Sequence, residues 1–380
     1  MKQLVEGKTK FFIEDAVFYN PVMEYSRDLS ICLALAFQKQ AGGKLAVADP
    51  LAASGIRGLR YLNEIKPKKV FLNDLNPNLA RLAKKTVKAN NLNARKVIVS
   101  RLDANQFLSM HKYEKLGLID LDPFGSPAIF FDASARAINR KNGFFTATAT
   151  DLGALSGTFI KAGKRKYGLQ ALKTPCMKEL QVRGLVASAV QAFARNDVAL
   201  QPVFGNASEH FVKIYCKADA GKEKADAALN ELKHLVYCPA CLLQKFVSLN
   251  ELPEAKCGCG GKGLKAAGPY YAGCLFDKGL ISNALSGLPA LKLKNEERIR
   301  KELSLALNEL DTPLFFETHA LAGKHKIRLA SLEKIILKLQ EKGFQASRTL
   351  FSQTGLKSSA PLKQALQAMR HFIYYLRHNY

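Results

Sequence analysis

The chain has 380 residues, and its 57 Lys and Arg residues outnumber the 32 Asp and Glu residues to give a formal net charge of +25 at pH 7. With 48% hydrophobic and 23% charged residues, the composition is that of a globular protein of two or three domains, and it excludes wholesale disorder. A basic excess of this size indicates a polyanionic partner, and nucleic acid is favoured over an anionic membrane surface.

The N-terminal segment and the cysteines bear on the compartment. Residues 1–20 lack the apolar run of a secretory signal, and no stretch of about 18 uncharged apolar residues occurs in the sequence. We therefore expect a cytoplasmic protein that does not span a membrane. Its eight cysteines are then expected to be reduced, which favours metal binding over disulfides where several of them cluster.

The first half of the chain alternates short apolar runs with helical patterns. The runs expected to form strands are residues 44–49, 68–73, 97–100, 116–120 and 143–148. Between the second and third runs, Leu79, Leu82 and Val87 share one face of a helix that would cover a sheet. Repeated strand–helix–strand units predict an α/β fold with an open parallel sheet, in which ligands bind beyond the carboxyl ends of the strands.

Acidic residues stand at three successive strand ends. The first strand runs through Asp49 into a small-residue turn, residues 50–58, whose glycines allow a ligand to approach the backbone. The second strand leads to Asp74, where a ribose diol would lie, and the third leads to Asp103, where a carboxylate can accept from an adenine amino group. Because the turn lacks a full G-x-G-x-x-G pattern, we expect a cofactor that carries adenosine without a pyrophosphate, such as S-adenosylmethionine.

The fourth strand leads into residues 120–127, which read Asp-Leu-Asp-Pro-Phe-Gly-Ser-Pro. Methylation of an exocyclic amino group would use such a segment, because the nitrogen lone pair stays delocalised into the base until acceptors draw its hydrogens out of conjugation. The Asp122 carboxylate and the Pro123 carbonyl would be those acceptors. The Phe124 ring would stack on the base and hold the nitrogen in line with the methyl group. The structural alternative is a Pro-Phe-Gly turn that the aspartate only caps.

Several segments together resemble one family. They are Val-Phe-Tyr-Asn-Pro at 17–21, Arg-Asp-Leu at 27–29, Ser-Gly-Ile-Arg-Gly at 54–58, the segment 120–127, Thr-Ala-Thr-Ala-Thr-Asp at 146–151, Pro-Leu-Phe at 313–315 and Thr-His at 318–319. In these segments the chain is similar, almost from end to end, to the archaeal tRNA (guanine(26)-N(2))-dimethyltransferases. The resemblance implies a class I S-adenosylmethionine-dependent methyltransferase fold, with a Rossmann-like sheet and a smaller, family-specific C-terminal domain.

The resemblance also implies an activity and its residues. One or two methyl groups would pass from S-adenosylmethionine to the exocyclic N2 of a guanine, expected at position 26, in tRNA. Asp122 and Phe124 would handle the guanine, with the Pro123 carbonyl beside them. The residues that would contact S-adenosylmethionine are Arg27, Arg57, Asp74, Asp103 and Ala104.

A change of composition predicts a second domain. We expect a methyltransferase domain over residues 1–219 and an α+β, tRNA-binding domain over residues 220–380 that carries a zinc-ribbon-like insertion. The insertion has a Cys-x-x-Cys pair and a Cys-x-Cys pair: Cys238, Cys241, Cys257 and Cys259. A structural Zn²⁺ is favoured over loose thiols, and four sulfur ligands would leave no coordination position open for catalysis.

Two basic segments are candidates for phosphate contacts. One follows the fifth strand beside the expected substrate mouth and contains Lys161, Lys164, Arg165 and Lys166. Near the C-terminus, Ser331 is placed to cap a helix, Gly343 to end it, and residues 344–351 to form a strand, which suggests a winged-helix-like module. The cations of this module, expected to grip tRNA, are Lys326, Arg328, Arg348 and Lys357.

Two other functions are compatible with the sequence. The Asp-Pro-Phe segment is also similar to the aromatic motif of amino-methyltransferases that act on DNA. A non-catalytic, zinc-containing RNA-binding protein would have the same charge and the same cysteines. The seven histidines form no catalytic or metal-binding pattern, and no obligate protein partner is inferred.

Overall fold

In a computed structural model of the chain, the described residues are 2–14, 19–208, 210–261 and 263–370. Val17 and Phe18 of the N-terminal motif lie outside them, as do residues 371–380 of the expected second domain. Among the described residues, no helix combines the length and the apolar character that crossing a lipid bilayer requires.

Strands and helices both occur along the whole of the described chain. The strands are β1 (Lys2–Glu6), β2 (Thr9–Ile13), β3 (Ala46–Asp49), β4 (Lys69–Asn73), β5 (Val97–Ser100), β6 (Leu118–Leu121), β7 (Gly143–Ala149), β8 (Val198–Ala207), β9 (Val212–Ala220), β10 (Leu232–Tyr237), β11 (Gln244–Val247), β12 (Lys265–Tyr271), β13 (Phe316–Glu317), β14 (Ala346–Thr349) and β15 (Ser352–Ser358). The α-helices are α1 (Glu24–Gln40), α2 (Ile56–Glu64), α3 (Leu79–Ala89), α4 (Ala104–Met110), α5 (Phe131–Ala137), α6 (Leu152–Leu155), α7 (Ile160–Tyr167), α8 (Met177–Ala194), α9 (Lys222–Asn230), α10 (Lys278–Leu291), α11 (Glu296–Asn308), α12 (Thr318–His325), α13 (Leu332–Glu341) and α14 (Leu362–Met369). Short 3-10 helices occur at Pro21–Met23, Ala94–Lys96 and Ala128–Phe130.

Seven strands form the central sheet, in the order β5-β4-β3-β6-β7-β9-β8. Strands β3 to β7 run parallel, and β9 lies antiparallel between β7 and β8. The five strands predicted from the sequence are confirmed, with bounds that differ from the observed ones by two residues or fewer. The direction of strand order reverses between β3 and β6, and this reversal leaves a crevice at their carboxyl ends.

Helices cover the central sheet, as the apolar periodicity predicts. In α3, Leu79, Leu82 and Val87 are buried while Arg81 and Lys84 are exposed. All seven residues of β7 are buried, which is typical of a strand with helices on both faces of its sheet. The first half of the chain is therefore the α/β unit that was expected from its strand–helix alternation.

The N-terminal hairpin β1–β2 is fastened beside the crevice. The backbone amide of Lys10 donates to the side chain of Asn90 at 2.9 Å, and the Asn90 amide group donates back to the Lys10 carbonyl at 2.6 Å. At the end of β1, the buried Glu6 accepts from Arg27 of α1 at 2.6 Å and from Arg60 of α2 at 2.9 Å. Buried charges need such partners, so the pairing fixes the hairpin against both helices.

Two smaller sheets follow the central one. The sheet β11-β10-β12 carries the cysteine cluster, and the sheet β13-β15-β14 packs with α12, α13 and α14 around a separate apolar core that includes Ile335 and Leu339. The core of the central sheet continues into α10 and α11. The central sheet is complete at Ala220, where we predict the domain boundary.

The predicted helix after Ser331 is confirmed as α13. The Ser331 hydroxyl accepts from the amide of Lys334 at 3.5 Å, and Gly343 has a φ of +80° just beyond the helix end. The strand predicted over residues 344–351 is confirmed as β14, which is two residues shorter at each end, and β15 runs back from Ser352 to pair with it as a hairpin. The reversal is held from outside the hairpin: the amide of Leu350 donates to the buried Glu309 carboxylate at 2.6 Å.

The prediction that Lys357 grips tRNA is wrong, since its side chain is only 2% exposed. Its Nζ lies 3.0 Å from Oε1 of Glu179 in α8 and 3.1 Å from Oε1 of Glu309. Lysine is buried this deeply only when it is paired, and this pair joins β15 to α8. Arg348 stays at the surface, where it pairs with Glu333.

Candidate active site

A cavity of about 560 Å³ lies at the carboxyl ends of β3 and β6, where the strand order reverses. Its size is within the usual range of small-molecule and cofactor pockets. Most of the residues predicted to bind cofactor or guanine line it: Arg27, Arg57, Asp74, Asp122, Pro123 and Phe124. The fold therefore brings both predicted sets of groups to one place.

The turn between β3 and α2 forms part of the cavity wall. Gly55 has a φ of +77°, and a Cβ on Gly58 would lie 2.3 Å from Cδ2 of Leu72, so both positions need glycine. The amide of Ala53 donates to Oδ2 of Asp74 at 2.7 Å. Asp74, which follows β4, therefore fixes the turn between β3 and α2, and it also borders the cavity.

Asp103 and Ala104 are not among the residues that line the cavity. They follow β5, which is the edge strand and lies two strands from the point of reversal. One oxygen of the Asp103 carboxylate caps α4 by accepting from the amides of Asn105 at 2.9 Å and Gln106 at 3.2 Å. Their contact with a cofactor stays a prediction.

A buried cluster of charges centred on Asp120 lies at the base of the cavity. Oδ1 of Asp120 accepts from Nζ of Lys213 at 2.8 Å and from the hydroxyl of Thr146 at 2.8 Å. Oδ2 accepts from the hydroxyl of Tyr61 at 2.7 Å and from Nη1 of Arg57 at 3.2 Å. The carboxylate has no exposed surface and uses both oxygens inside the protein, so its role is to hold its neighbours.

Arg57 connects this buried cluster to the surface of the cavity. Its second terminal nitrogen pairs with Oδ2 of Asp122, whose side chain is 23% exposed. Burial alone would raise the pKa of Asp122, but the charges of Arg57 and Lys213 outweigh it and hold that pKa below its usual value. Asp122 is therefore an ionised acceptor with a fixed orientation and access to the cavity.

Asp49, at the end of β3, also borders the cavity. Its Oδ2 accepts from the amide of Gly58 at 3.1 Å, while its buried Oδ1 has no hydrogen-bond partner among the described residues. Burial raises the pKa of Asp49 to about 7, although the nearby Arg57 opposes the rise. A buried acceptor without a protein partner at a cavity wall fits a donor group of a bound ligand.

The Pro-Phe-Gly segment forms a turn at the mouth of the cavity. Gly125 has a φ of +82°, its amide donates to the hydroxyl of Thr150 at 2.7 Å, and the Thr150 amide donates to the Gly125 carbonyl at 2.9 Å. These bonds fix the turn to the end of β7. Phe124 consequently borders the cavity on a fixed turn with 74% of its surface exposed, which suits stacking against a base.

Arg27 borders the cavity from α1. Its guanidinium donates to both carboxylate oxygens of Glu6, at 2.6 and 2.7 Å, and to the carbonyl of Asn20 at 3.0 Å. The hydroxyl of Tyr19 donates to the same carboxylate at 3.0 Å, and burial together with Glu6 raises the pKa of Tyr19 to about 12. The N-terminal hairpin therefore sets the position of Arg27.

Four contributors to the site escape sequence reasoning: Tyr61, Thr150, Lys213 and His210. Lys213 stands between apolar residues in the first, fully buried part of β9, which is a signal that a carboxylate partner exists without naming that partner. Thr150 belongs to the segment that carries the family resemblance, without a role assigned to it. Tyr61 and His210 have no local signal that distinguishes them from packing or surface residues.

The basic segment after β7 forms α7 beside the mouth. Lys161, Lys164 and Arg165 are exposed, and Nζ of Lys166 lies 2.9 Å from Oδ2 of Asp151. Lys166 borders a space that adjoins the first cavity. The basic segment therefore lies beside the cavity, while its contact with the phosphates of a substrate stays a prediction.

The four clustered cysteines converge at the β10–β11 turn and the segment before β12. Their Sγ atoms all lie within 4.8 Å of one another, with pairs at 3.6 Å (Cys238 and Cys259), 3.4 Å (Cys241 and Cys257) and 3.3 Å (Cys257 and Cys259). Tetrahedral zinc with bonds of about 2.3 Å separates its sulfur ligands by about 3.8 Å. A Cβ on Gly261 would lie 2.5 Å from Cβ of Ala240, so glycine lets the loop close around the cluster. The donor set and its geometry fit Zn²⁺.

Comparison with known proteins gives consistent matches over nearly the whole chain. The family model described as N2,N2-dimethylguanosine tRNA methyltransferase matches residues 1–370. A tRNA (guanine(26)-N(2))-dimethyltransferase from Methanocaldococcus jannaschii is 35% identical over 367 residues, which cover 94% of this chain and 93% of the relative. One from Methanosphaera stadtmanae is 32% identical over 355 residues, covering 92% and 90%.

A solved structure is similar in fold as well as in sequence. It is the complex of Trm1 from Pyrococcus horikoshii with S-adenosyl-L-methionine, with a TM-score of 0.87 and 30% identity. The match covers 98% of this chain and 100% of that one. The class I methyltransferase fold with an additional C-terminal part, expected from the resemblance, is confirmed.

Proposed function

Since this chain belongs to the N2,N2-dimethylguanosine tRNA methyltransferase family, we propose that it transfers one or two methyl groups from S-adenosylmethionine to the exocyclic N2 of guanine 26 in tRNA. One observation carries the proposal: Asp122 and Phe124 border the same cavity as the adenosine-binding candidates Arg57 and Asp74. Family membership favours this reaction over methylation of DNA and over a non-catalytic RNA-binding role.

The cavity fits S-adenosylmethionine by the chemistry of its donors and acceptors. Arg27, Arg57 and Asp74 would hold the cofactor, and the buried Oδ1 of Asp49 offers a further acceptor. When bound, S-adenosylmethionine supplies a methyl group on a positively charged sulfur. Everything else in the reaction depends on how the chain orients the guanine and receives its proton.

Asp122 is the acceptor for the N2 hydrogens, and its neighbour Asp120 cannot take that role. Asp120 has no exposed surface, and both of its oxygens accept hydrogen bonds from donors inside the protein. Asp122 is ionised and borders the cavity. With the Pro123 carbonyl, it draws the N2 hydrogens out of conjugation so that the nitrogen lone pair can attack. The proton that N2 loses passes to the Asp122 carboxylate, which is exposed enough to release it to water.

Phe124 holds the guanine for this attack. Its ring stands on the turn fixed by Thr150, so a stacked base keeps N2 close to Asp122. Positioning of this kind supplies a large part of the acceleration in transfer reactions between two bound molecules. The net charge of +25 and the exposed cations of α7 supply the attraction for tRNA.

We also propose that the four clustered cysteines hold one structural Zn²⁺. Their side chains fill all four positions of a tetrahedron, so the metal would stabilise the β10–β12 sheet without taking part in methyl transfer. The division into a methyltransferase domain, residues 1–219, and a tRNA-binding domain, residues 220–380, is likewise part of the proposal, as is a cytoplasmic location.

Transfer of labelled methyl groups from S-adenosylmethionine to a tRNA transcript with guanine at position 26 tests the function. We expect label in that transcript, none when guanine 26 is replaced by adenine, and none in duplex DNA. Asp122→Ala should lower kcat by a factor of hundreds, the usual loss when a group that acts on the transition state is removed. Asp132→Ala is the matched control, because Asp132 is 48% exposed and pairs with Arg195 at the surface. Near-normal turnover of Asp122→Ala would contradict the assignment.

A further inference from the structure

A second cavity adjoins the first at the mouth. It has a volume of about 430 Å³ and shares two lining residues with the first, Thr150 and His210. Asp151, Phe159 and Lys166 are among the residues of its remaining wall. Thr150 fixes the turn that carries Phe124. The second cavity therefore lies directly beside the Phe124 ring on which we propose that guanine stacks.

Phe159 presents a fixed aromatic face to this second cavity. Its side chain is 65% exposed, yet its amide donates to the Gly153 carbonyl at 2.8 Å, and the amide of Gly163 donates to its own carbonyl at 3.0 Å. A Cβ on Gly153 would lie 2.4 Å from Cδ2 of Phe159, so the ring rests directly on the glycine backbone. An exposed aromatic ring whose backbone is held in this way can stack a base without first being ordered.

Positive charge surrounds this ring. Phe159 directly precedes α7, and Lys161, Lys164 and Arg165 of that helix are exposed, with no carboxylate partner among the residues the structure describes. Lys166 is held by Asp151 at 2.9 Å. An aromatic face beside several available cations is the combination that binds a nucleotide, whose base stacks while its phosphate is neutralised.

We propose that the second cavity, here called the flanking-nucleotide site, binds the nucleotide next to the target guanine in the tRNA strand. The proposal rests on the proposed function. A guanine in a folded tRNA reaches Asp122 only if it leaves its stack, and its neighbour then loses a stacking partner as well. The Phe159 ring replaces that partner, and the cations of α7 hold the phosphate that joins the two nucleotides.

Phe159→Ala tests the site, with Tyr113→Ala as the control because Tyr113 is 82% exposed and borders neither cavity. Base–aromatic stacking corresponds to a loss of about 5- to 150-fold in affinity on alanine substitution. We expect KM for tRNA to rise within that range in Phe159→Ala, with a much smaller change in kcat and none in the Kd for S-adenosylmethionine. Phe159→Tyr should restore KM to within about threefold, since it keeps the ring. Tyr113→Ala should match the parent.

Fluorescence reports the contact itself. Two tRNA transcripts carry 2-aminopurine, one at position 25 and the other at position 27. Binding to the parent should quench the fluorescence of one transcript, and binding to Phe159→Ala should leave it unquenched. If neither transcript responds to Phe159, or if KM is the same in Phe159→Ala and the parent, the flanking-nucleotide site is wrong. If the parent fails to methylate tRNA at all, the proposed function fails instead, so the two failures are distinguishable.

Discussion

Replacing Lys213 by Met should destabilise the folded protein by about 3 kcal/mol. The side chain of Lys213 has no exposed surface and pairs with Asp120 at 2.8 Å, and methionine keeps its unbranched shape to the fourth side-chain atom without its charge. Breaking a buried ion pair by removing one partner costs about 3–5 kcal/mol. Asp120 keeps Arg57, Tyr61 and Thr146 as donors, so the loss should fall at the lower end of that range.

Lys217→Met is a matched control, because Lys217 lies on the same strand but is 24% exposed and pairs with Asp277, which is 22% exposed. An ion pair open to water contributes about 0–1 kcal/mol. Urea denaturation of both variants and the parent is followed by circular dichroism. If the slope m is the same, the shift in the urea concentration at the midpoint gives the change in the free energy of unfolding. If Lys213→Met lost no more stability than Lys217→Met, the charge cluster around Asp120 would not be what orders the base of the site.

The pH dependence of this difference follows from Asp120. Burial alone would raise its pKa, but Arg57 and Lys213 outweigh burial and hold the pKa well below the usual value. A carboxylate whose pKa is lower in the folded state contributes stability that is complete above its unfolded pKa, about 3.9, and is lost as the pH falls below that value. Lys213→Met removes part of this contribution, so the stability gap to the parent should shrink between pH 7 and pH 3. An equal gap at both pH values would contradict the linkage.

Two further predictions concern cofactor and metal. Asp74→Ala should weaken binding of S-adenosylmethionine by about 1–3 kcal/mol, measured by calorimetry, because it removes charge-assisted hydrogen bonds and releases the Ala53 turn; an unchanged affinity would remove Asp74 from the cofactor site. Metal analysis should find about one zinc per chain, lost in Cys257→Ser and kept in Cys274→Ser, whose exposed thiol lies outside the cluster; purified parent protein without zinc would refute the metal assignment.

The features predicted correctly from the sequence are those with local signals. The strands of the central sheet have apolar runs of the right length, and the covering helix α3 has the right periodicity. Asp122 and Phe124 stand in a distinctive segment directly after a strand, and the rule that parallel sheets bind ligands at their carboxyl ends places them correctly. The convergence of the cysteines follows from their spacing.

The features that sequence reasoning missed depend on contacts between distant residues. Lys357 has the same sequence signature as an exposed lysine, and only its pairing with Glu179, 178 positions away, shows that it is buried. Lys213 and Asp120 are 93 positions apart. In each case the partner decides the role, and a single sequence does not name the partner.

The buried Glu179 changes what the C-terminal module can do. Its carboxylate accepts from Arg183 at 2.8 Å, from the amide of Leu314 at 2.9 Å and from Lys357 at 3.0 Å, so it ties the module to α8. Burial would raise the pKa of Glu179, but Lys357 and Arg183 outweigh burial and keep it ionised. Separating the module would strand these charges without partners, at a cost of about 3–5 kcal/mol. The exposed cations of the module therefore stand at a fixed distance from the cavity, so if they bind tRNA as predicted, the tRNA would reach the cavity in one register.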